Sequence, residues 1–250
     1  MPQTSELRKF AEIAAECDKL FNTGNSAGVE TYLLNQLAAA EADGGLYLQL
    51  FLQSELMGHY RMQGKHAEAL QAVKRGSELL DQLPELDPVS AGTICINAGT
   101  ALSAAGNFDR ALEFYSRAEK YYAGTLGEND YLLAGLQNNM ASVYAAKSDF
   151  ASAEICYLKA LDILKINAKF ADSAVTCVNL AQLYARRDPA DPVINIMLES
   201  AVDCFDSPAL KRDGYYAHTC LKCAPAFEFF GKNAFANELR SRAEEIYERN

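Results

Sequence analysis

The most reactive side chains in this 250-residue chain are three histidines and a closely spaced pair of cysteines. His59, His66 and His218 could act as bases or metal ligands, but none lies in an HExxH motif or at the spacing of a paired ligand set. Cys220 and Cys223 form a single CxxC with no second pair and no strand–turn–helix context, so neither zinc binding nor thiol exchange is indicated. We expect both thiols to pack in the core and His66 to be exposed.

Paired carboxylates are a second possible source of catalysis, and here they also have a simpler explanation. Glu244 and Glu245 lie among arginines near the end of the chain, as on the polar outer face of a closing helix. The sequence contains no glycine-rich phosphate loop. We therefore predict a protein that is not an enzyme, with no catalytic residue, no metal site and no cofactor.

Asparagine recurs at a regular interval. Asn97, Asn139 and Asn179 are separated by 42 and 40 residues. Because asparagine costs up to about 0.7 kcal/mol relative to alanine inside a helix, its recurrence suggests a compensating role. A carboxamide both donates and accepts hydrogen bonds, so a series of them could hold the amide groups of an extended peptide. The alternative is that these residues tether adjacent helices or turns, or face water.

These asparagines belong to a longer internal repeat. Three segments of 22 residues, 55–76, 97–118 and 139–160, align without gaps, with turn positions 42 residues apart. Small side chains let two antiparallel helices approach to about 8–10 Å, and large side chains fill the space beside them. Each unit is therefore predicted to be a helix, a tight turn and a helix, and neighbouring pairs must stack to bury their faces. The turn positions are Gly64, Gly106 and Ser148, followed five residues later by Ala69, Ala111 and Ala153 and nine residues later by Val73, Tyr115 and Tyr157.

One position of the repeat varies in size. Seven residues before the turn, the second and third segments have the small residues Gly99 and Ala141, whereas the first has Met57. The first segment therefore departs from the small-residue pattern at this place.

The whole pattern resembles tetratricopeptide repeats. The run LGENDYLLAGLQNNMASVY over 126–144 further resembles the long-period repeats of kinesin light chains, and the 42-residue period agrees with this. The resemblance implies an all-α, right-handed superhelical solenoid of about six antiparallel helix pairs. The residues on the family's motif positions are Leu56, Tyr60, Gly64, Ala69 and Gly76 in the first segment, and Gly99, Gly106, Ala111, Tyr115 and Ala118 in the second.

Fainter copies extend the repeat to both ends of the chain. We predict one solenoid over 1–250, with a degenerate first helix pair in 1–44, three clear repeats in 45–167 and two divergent repeats in 168–250.

The resemblance also implies a function. The first helix of each pair should line a concave groove that binds a peptide or an extended protein segment, and related arrays use asparagine there to hold peptide backbone. Arg61 and Arg186 could anchor an acidic side chain or terminus, or could simply be solvated or paired with a neighbouring acid. The predicted peptide-binding residues are Asn97, Asn139, Asn179, Asn138, Arg61, Arg186, Gln182 and Ser142.

The charge and composition of the chain disfavour some kinds of binding partner. The formal net charge of −10 disfavours nucleic acid or an anionic membrane as the main partner, because both bind through clusters of basic residues. The charged N-terminal segment is unlike a signal peptide, and the seven scattered cysteines are typical of a reduced, cytoplasmic protein. Two other functions stay open: a scaffold that oligomerises through its convex face or ends, and a peptide-sensing regulator without its own DNA-binding domain.

Overall fold

The computed structural model describes residues 2–22 and 25–248, and within these ranges all regular structure is helical, as predicted. Each odd-numbered helix packs on the even-numbered helix that follows it, which gives six consecutive pairs. None of the helices in the described ranges is both long enough and apolar enough to cross a membrane. The helices are α1 (Pro2–Asn22), α2 (Ser26–Asp43), α3 (Leu46–Met62), α4 (His66–Asp81), α5 (Pro88–Ala104), α6 (Phe108–Tyr122), α7 (Tyr131–Ala146), α8 (Phe150–Ile166), α9 (Phe170–Arg187), α10 (Val193–Asp206), α11 (Gly214–Phe229) and α12 (Asn233–Tyr247).

The chain forms two compact units, Met1–Leu126 and Gly127–Asn250. Unit 1 contains α1–α6, and within it α3 packs on α1, α2 and α5. Unit 2 contains α7–α12, and within it α9 packs on α8 and α11. Consecutive helix pairs therefore stack inside each unit, which is the arrangement of a tetratricopeptide-type solenoid.

The predicted turns have the backbone geometry that ends a helix sharply. Gly64 and Gly106 adopt left-handed φ values of 68° and 77°, which glycine reaches without steric cost. Ser148 takes the equivalent place in the third repeat with a φ of 63°. A serine in this region is strained by roughly 1 kcal/mol or more, so the tight turn is kept at some expense of stability.

Aspartates start several of the helices. Asp87 accepts a hydrogen bond from the backbone N–H of Ser90 at 2.9 Å, and Pro88 occupies the first turn of α5, where a missing N–H costs nothing. Asp149 accepts in the same way from Ser152 at the start of α8, at 3.1 Å. These caps fix where the helices begin, and so which residues face the neighbouring pair.

Close packing inside the pairs depends on small residues opposite large ones. A Cβ added to Gly99 of α5 would lie 2.4 Å from a ring carbon of Tyr115 on α6. In the first repeat the sizes are reversed between the helices, because the methyl carbon of Met57 on α3 lies against Gly76 of α4, 2.5 Å from where a Cβ would be. Met57 therefore preserves the fit while departing from the pattern.

Candidate functional site

In unit 2, α7, α9 and α11 line a pocket of about 260 Å³. All three are the first helices of their pairs, which is the surface that the sequence predicts for ligand contact. The pocket brings together four of the eight predicted residues, Asn138, Asn139, Ser142 and Asn179. Its other lining residues are Gly135, Asp172, Val175, Tyr215, His218, Thr219 and Lys222.

Two of these four residues hold the helices in place. The Asn138 amide Nδ2 donates to the Thr176 hydroxyl at 3.0 Å, and this joins α7 to α9. Thr176 is fully buried, so the bond is shielded from water. The Ser142 hydroxyl lies 3.1 Å from the Tyr157 hydroxyl and joins α7 to α8. Both side chains are therefore occupied within the fold.

Asn139 and Asn179 differ from Asn138 and Ser142 in their side-chain hydrogen bonding. Each side chain is half-buried and lines the pocket. Neither has a side-chain hydrogen bond to any residue in the described ranges. Two carboxamides in adjacent repeats are thus free to bond to a ligand, with donor and acceptor capacity on each.

The edge of the pocket is fixed by an aspartate between two tyrosines. Asp172 of α9 accepts hydrogen bonds from the hydroxyls of Tyr215 on α11 and, at 3.5 Å, of Tyr131 on α7. Burial raises the pKa of Tyr215, and the bond to Asp172 raises it further. The three helices are therefore held together at their N-terminal ends, and the phenol groups stay protonated at neutral pH.

The structure adds two side chains, His218 and Lys222, that the sequence did not place among the predicted peptide-binding residues. His218 and Lys222 of α11 are exposed at the pocket, and Lys222 has no ion pair within the described residues. The sequence does contain a signal for Lys222. It lies nine residues before the turn residue Gly231, as Asn97 does before Gly106. Counting back from the turn would have placed Lys222 in the asparagine series.

Asn97 lies in unit 1 and has a structural contact. Its Nδ2 donates to the buried Ser54 hydroxyl at 2.9 Å, which ties α5 to α3. It lines a separate pocket of about 210 Å³ with residues of α1 and α3. At this one position of the series, the tethering alternative describes the observed hydrogen bond.

The remaining predicted residues are not brought into either of these pockets. Arg61 and Gln182 are exposed on α3 and α9. Arg186 is exposed near the end of α9, where its guanidinium lies 5.2 Å from the centre of the Phe150 ring. Arg186 is therefore exposed to solvent, as one of the alternatives predicted, and packs on an aromatic neighbour, with no ion pair to any acid in the described ranges.

The reactive side chains lie where the sequence predicts. Cys220 and Cys223 are free and buried, and burial raises the pKa of Cys223 to about 12. The thiol is therefore protonated at neutral pH and a poor nucleophile. His66 is exposed at the start of α4.

Comparison with known proteins identifies the type of repeat in the middle of the chain. Residues 90–166 match the family model for the tetratricopeptide repeat. Residues 90–166 of this chain therefore contain tetratricopeptide repeats. Such repeats mediate protein–protein interactions, and proteins built from them are typically non-catalytic scaffolds. No curated protein matches the chain at a significant level.

Solved structures resemble the chain over most of its length. BtubC (BKLC) from P. vanneervenii is 20% identical with a TM-score of 0.59, and the match covers 87% of this chain and 91% of that one. Kinesin light chain-type repeats from Podosopora anserina are 17% identical with a TM-score of 0.56, covering 80% and 96%. At these low sequence identities, the likeness shows the fold of the chain alone.

Truncation of the neighbouring residues Asn138 and Asn139 should change the free energy of unfolding by different amounts. Asn138→Ala removes a shielded hydrogen bond and leaves the Thr176 hydroxyl without that partner, so we expect it to lower the free energy of unfolding by about 1–2 kcal/mol. Asn139→Ala breaks no side-chain hydrogen bond within the described ranges and improves helix propensity, so stability should stay unchanged or rise by up to about 0.7 kcal/mol. Urea denaturation followed by circular dichroism measures both, and equal losses would show that Asn139 also holds the fold together.

Proposed function

We propose that this tetratricopeptide repeat protein binds an extended segment of another protein at the unit 2 pocket. The observation that supports this most is the pair Asn139 and Asn179, half-buried carboxamides that line one pocket without side-chain partners in the described part of the chain. A helix keeps asparagine at two such places only at a cost in helix propensity.

Peptide backbone is the ligand chemistry that fits these two groups. Each carboxamide can accept from a peptide N–H and donate to a peptide C=O, which recognises the chain without selecting its side chains. A polar group that is partly removed from water gains most when a ligand completes its hydrogen bonds. We therefore assign to Asn139 and Asn179 the main backbone contacts.

The rest of the pocket then has supporting roles. The Asp172–Tyr215 contact and the Asn138–Thr176 bond fix the three helices, so the two free carboxamides are presented from rigid elements. Lys222 and His218 lie where they would meet ligand side chains. Binding of this kind involves no covalent chemistry, in keeping with the protonated, buried thiols.

A peptide library tests the proposal. Random peptides displayed on phage are selected against the full chain, and the affinities of the recovered peptides are measured by fluorescence anisotropy. We expect Asn139→Ala/Asn179→Ala to weaken binding at least tenfold, since about 1 kcal/mol is typical for each lost hydrogen bond.

The matched control is Asn195→Ala, which removes an exposed carboxamide of α10 outside the pocket and should leave affinity unchanged. Selected peptides that bind the double asparagine variant as tightly as the wild type would contradict the proposal. A second arm methylates single backbone nitrogens of the best peptide, and at least one such change should reduce affinity if backbone is the contact.

A further inference from the structure

Unit 1 has a smaller pocket whose chemistry differs from that of unit 2. It measures about 210 Å³ and is lined by residues of α1, α3 and α5, among them Phe10, Phe51, Ser54, Glu55 and Asn97. Small-molecule sites are usually roughly 300–1,000 Å³, so this pocket has the size for a single side chain. We propose that it binds a cationic side chain, lysine or arginine, of a protein ligand, with Glu55 as the counter-ion.

The walls of the pocket suit the apolar stem of such a side chain. Phe10 of α1 and Phe51 of α3 stack with ring centres 5.0 Å apart and an interplanar angle of 28°. Aromatic faces attract ammonium and guanidinium groups as well as alkyl carbon. Across the pocket, the Asn97–Ser54 hydrogen bond provides a polar edge that is already satisfied within the fold.

The charge of the pocket is negative and uncompensated. Glu55 is the only titratable residue that lines it, and it has no ion pair or hydrogen bond with any residue in the described ranges. Burial raises the pKa of Glu55, and the carboxylate of Asp18 on α1 adds to the rise. A lysine or arginine entering the pocket would place its positive charge opposite the exposed carboxylate of Glu55 while its alkyl stem packs on the aromatic wall.

Glu55 occupies the position of the repeat that holds asparagine in the next two repeats. It lies nine residues before Gly64, as Asn97 lies nine before Gly106. The position that presents a carboxamide in the second and third repeats thus presents a carboxylate in the first. The pocket of unit 2 would then bind peptide backbone, and the pocket of unit 1 would bind a positive charge.

Ionisation of Glu55 lowers the stability of the folded chain. A substitution that removes its charge can therefore weaken ligand binding without lowering stability. Because its pKa is raised, the folded chain holds the Glu55 proton more tightly than the unfolded chain does. Its contribution to stability is therefore present at low pH and lost as the pH rises through the raised pKa. Glu55→Gln removes that charge, so we expect it to be at least as stable as the wild type at pH 7.

The test uses acetylated random peptides in which one position is lysine, arginine, or their neutral counterparts norleucine and citrulline. Binding to the full chain is measured at fixed ionic strength. The wild type should prefer the cationic peptides by about tenfold, and Glu55→Gln should remove that preference. A further arm with free N-terminal amines shows whether an amine at a chain end can replace a side-chain cation.

Two controls make the outcome specific. Glu113→Gln removes an exposed negative charge from α6 of the same unit, outside the pocket, and should keep the preference, which excludes general attraction to an acidic protein. Asn139→Ala/Asn179→Ala should lower overall affinity without changing the preference. No cation preference in the wild type, or the same preference in Glu55→Gln, would overturn the inference and leave the unit 2 proposal standing.

Discussion

Replacing Gly99 with alanine is expected to lower the free energy of unfolding by about 2 kcal/mol, although alanine is the better helix former. The new Cβ would lie 2.4 Å from the nearest ring carbon of Tyr115, far inside contact distance. Tyr115 is almost fully buried and its hydroxyl lies 3.3 Å from the Thr100 hydroxyl, so the ring cannot move without losing packing and that bond. Overpacking of this kind typically costs about 1–3 kcal/mol.

Two other glycines provide matched controls in the same unit. Gly58 of α3 has nothing within 4 Å of an added Cβ, so Gly58→Ala should stabilise by about 0.5–1 kcal/mol through helix propensity. At Gly76 the obstacle is the flexible end of Met57, so Gly76→Ala should fall between the two. Urea denaturation measured by circular dichroism gives all three values. If Gly99→Ala were as stable as Gly58→Ala, the helix register described for the second repeat would be incorrect.

Arg242→Ala should be the second strongly destabilising change, with a loss of about 2–4 kcal/mol. The guanidinium of Arg242 on α12 donates to Asp206 at 2.6 Å and to Glu238 at 2.5 Å, and also to the Tyr216 hydroxyl at 3.1 Å. Its side chain is only 16% exposed. Removing it takes away the packing of a largely buried side chain and leaves the buried Tyr216 phenol without its donor, which costs more than losing a surface pair.

Arg240 on the same helix provides the control. It pairs with Glu228 at 2.6 Å, but both side chains are open to solvent. Exposed pairs contribute about 0–1 kcal/mol, so Arg240→Ala should change the melting temperature little. Thermal denaturation of both variants at equal salt makes the comparison, and similar losses would show that Arg242 does not join the last two helix pairs.

The helix pairs could be predicted from the sequence because their signals are local. The 42-residue spacing of Gly64, Gly106 and Ser148 predicts a turn at each residue. All three residues form such a turn with a positive φ. The alternation of small and large residues reports packing inside one pair, which involves residues close in the sequence. Met57 departs from the pattern, but it still packs a large side chain against a small residue, because its methyl carbon lies against Gly76 of the second helix.

The roles of individual polar residues could not be predicted, because they depend on the neighbouring helix. Asn138 and Asn139 are adjacent in the sequence, yet only Asn138 has Thr176 of α9 within hydrogen-bonding distance. Asn97 repeats Asn139 by position but meets Ser54, and so becomes a tether. Arg186 was predicted to anchor an acidic ligand group, to be solvated or to pair with an acid, and the sequence did not indicate its contact with the Phe150 ring. A periodic sequence identifies the exposed face, and the residues opposite decide which side chains stay free.

The most direct test of ligand binding by the free carboxamides is nuclear magnetic resonance of the asparagine side-chain NH2 groups, with a selected peptide added to the full chain. We expect the resonances of Asn139 and Asn179 to shift on saturation, while that of Asn195, an exposed asparagine of α10 outside the pocket, keeps its position. Unchanged Asn139 and Asn179 signals in a saturated complex would contradict the proposed role of this pocket.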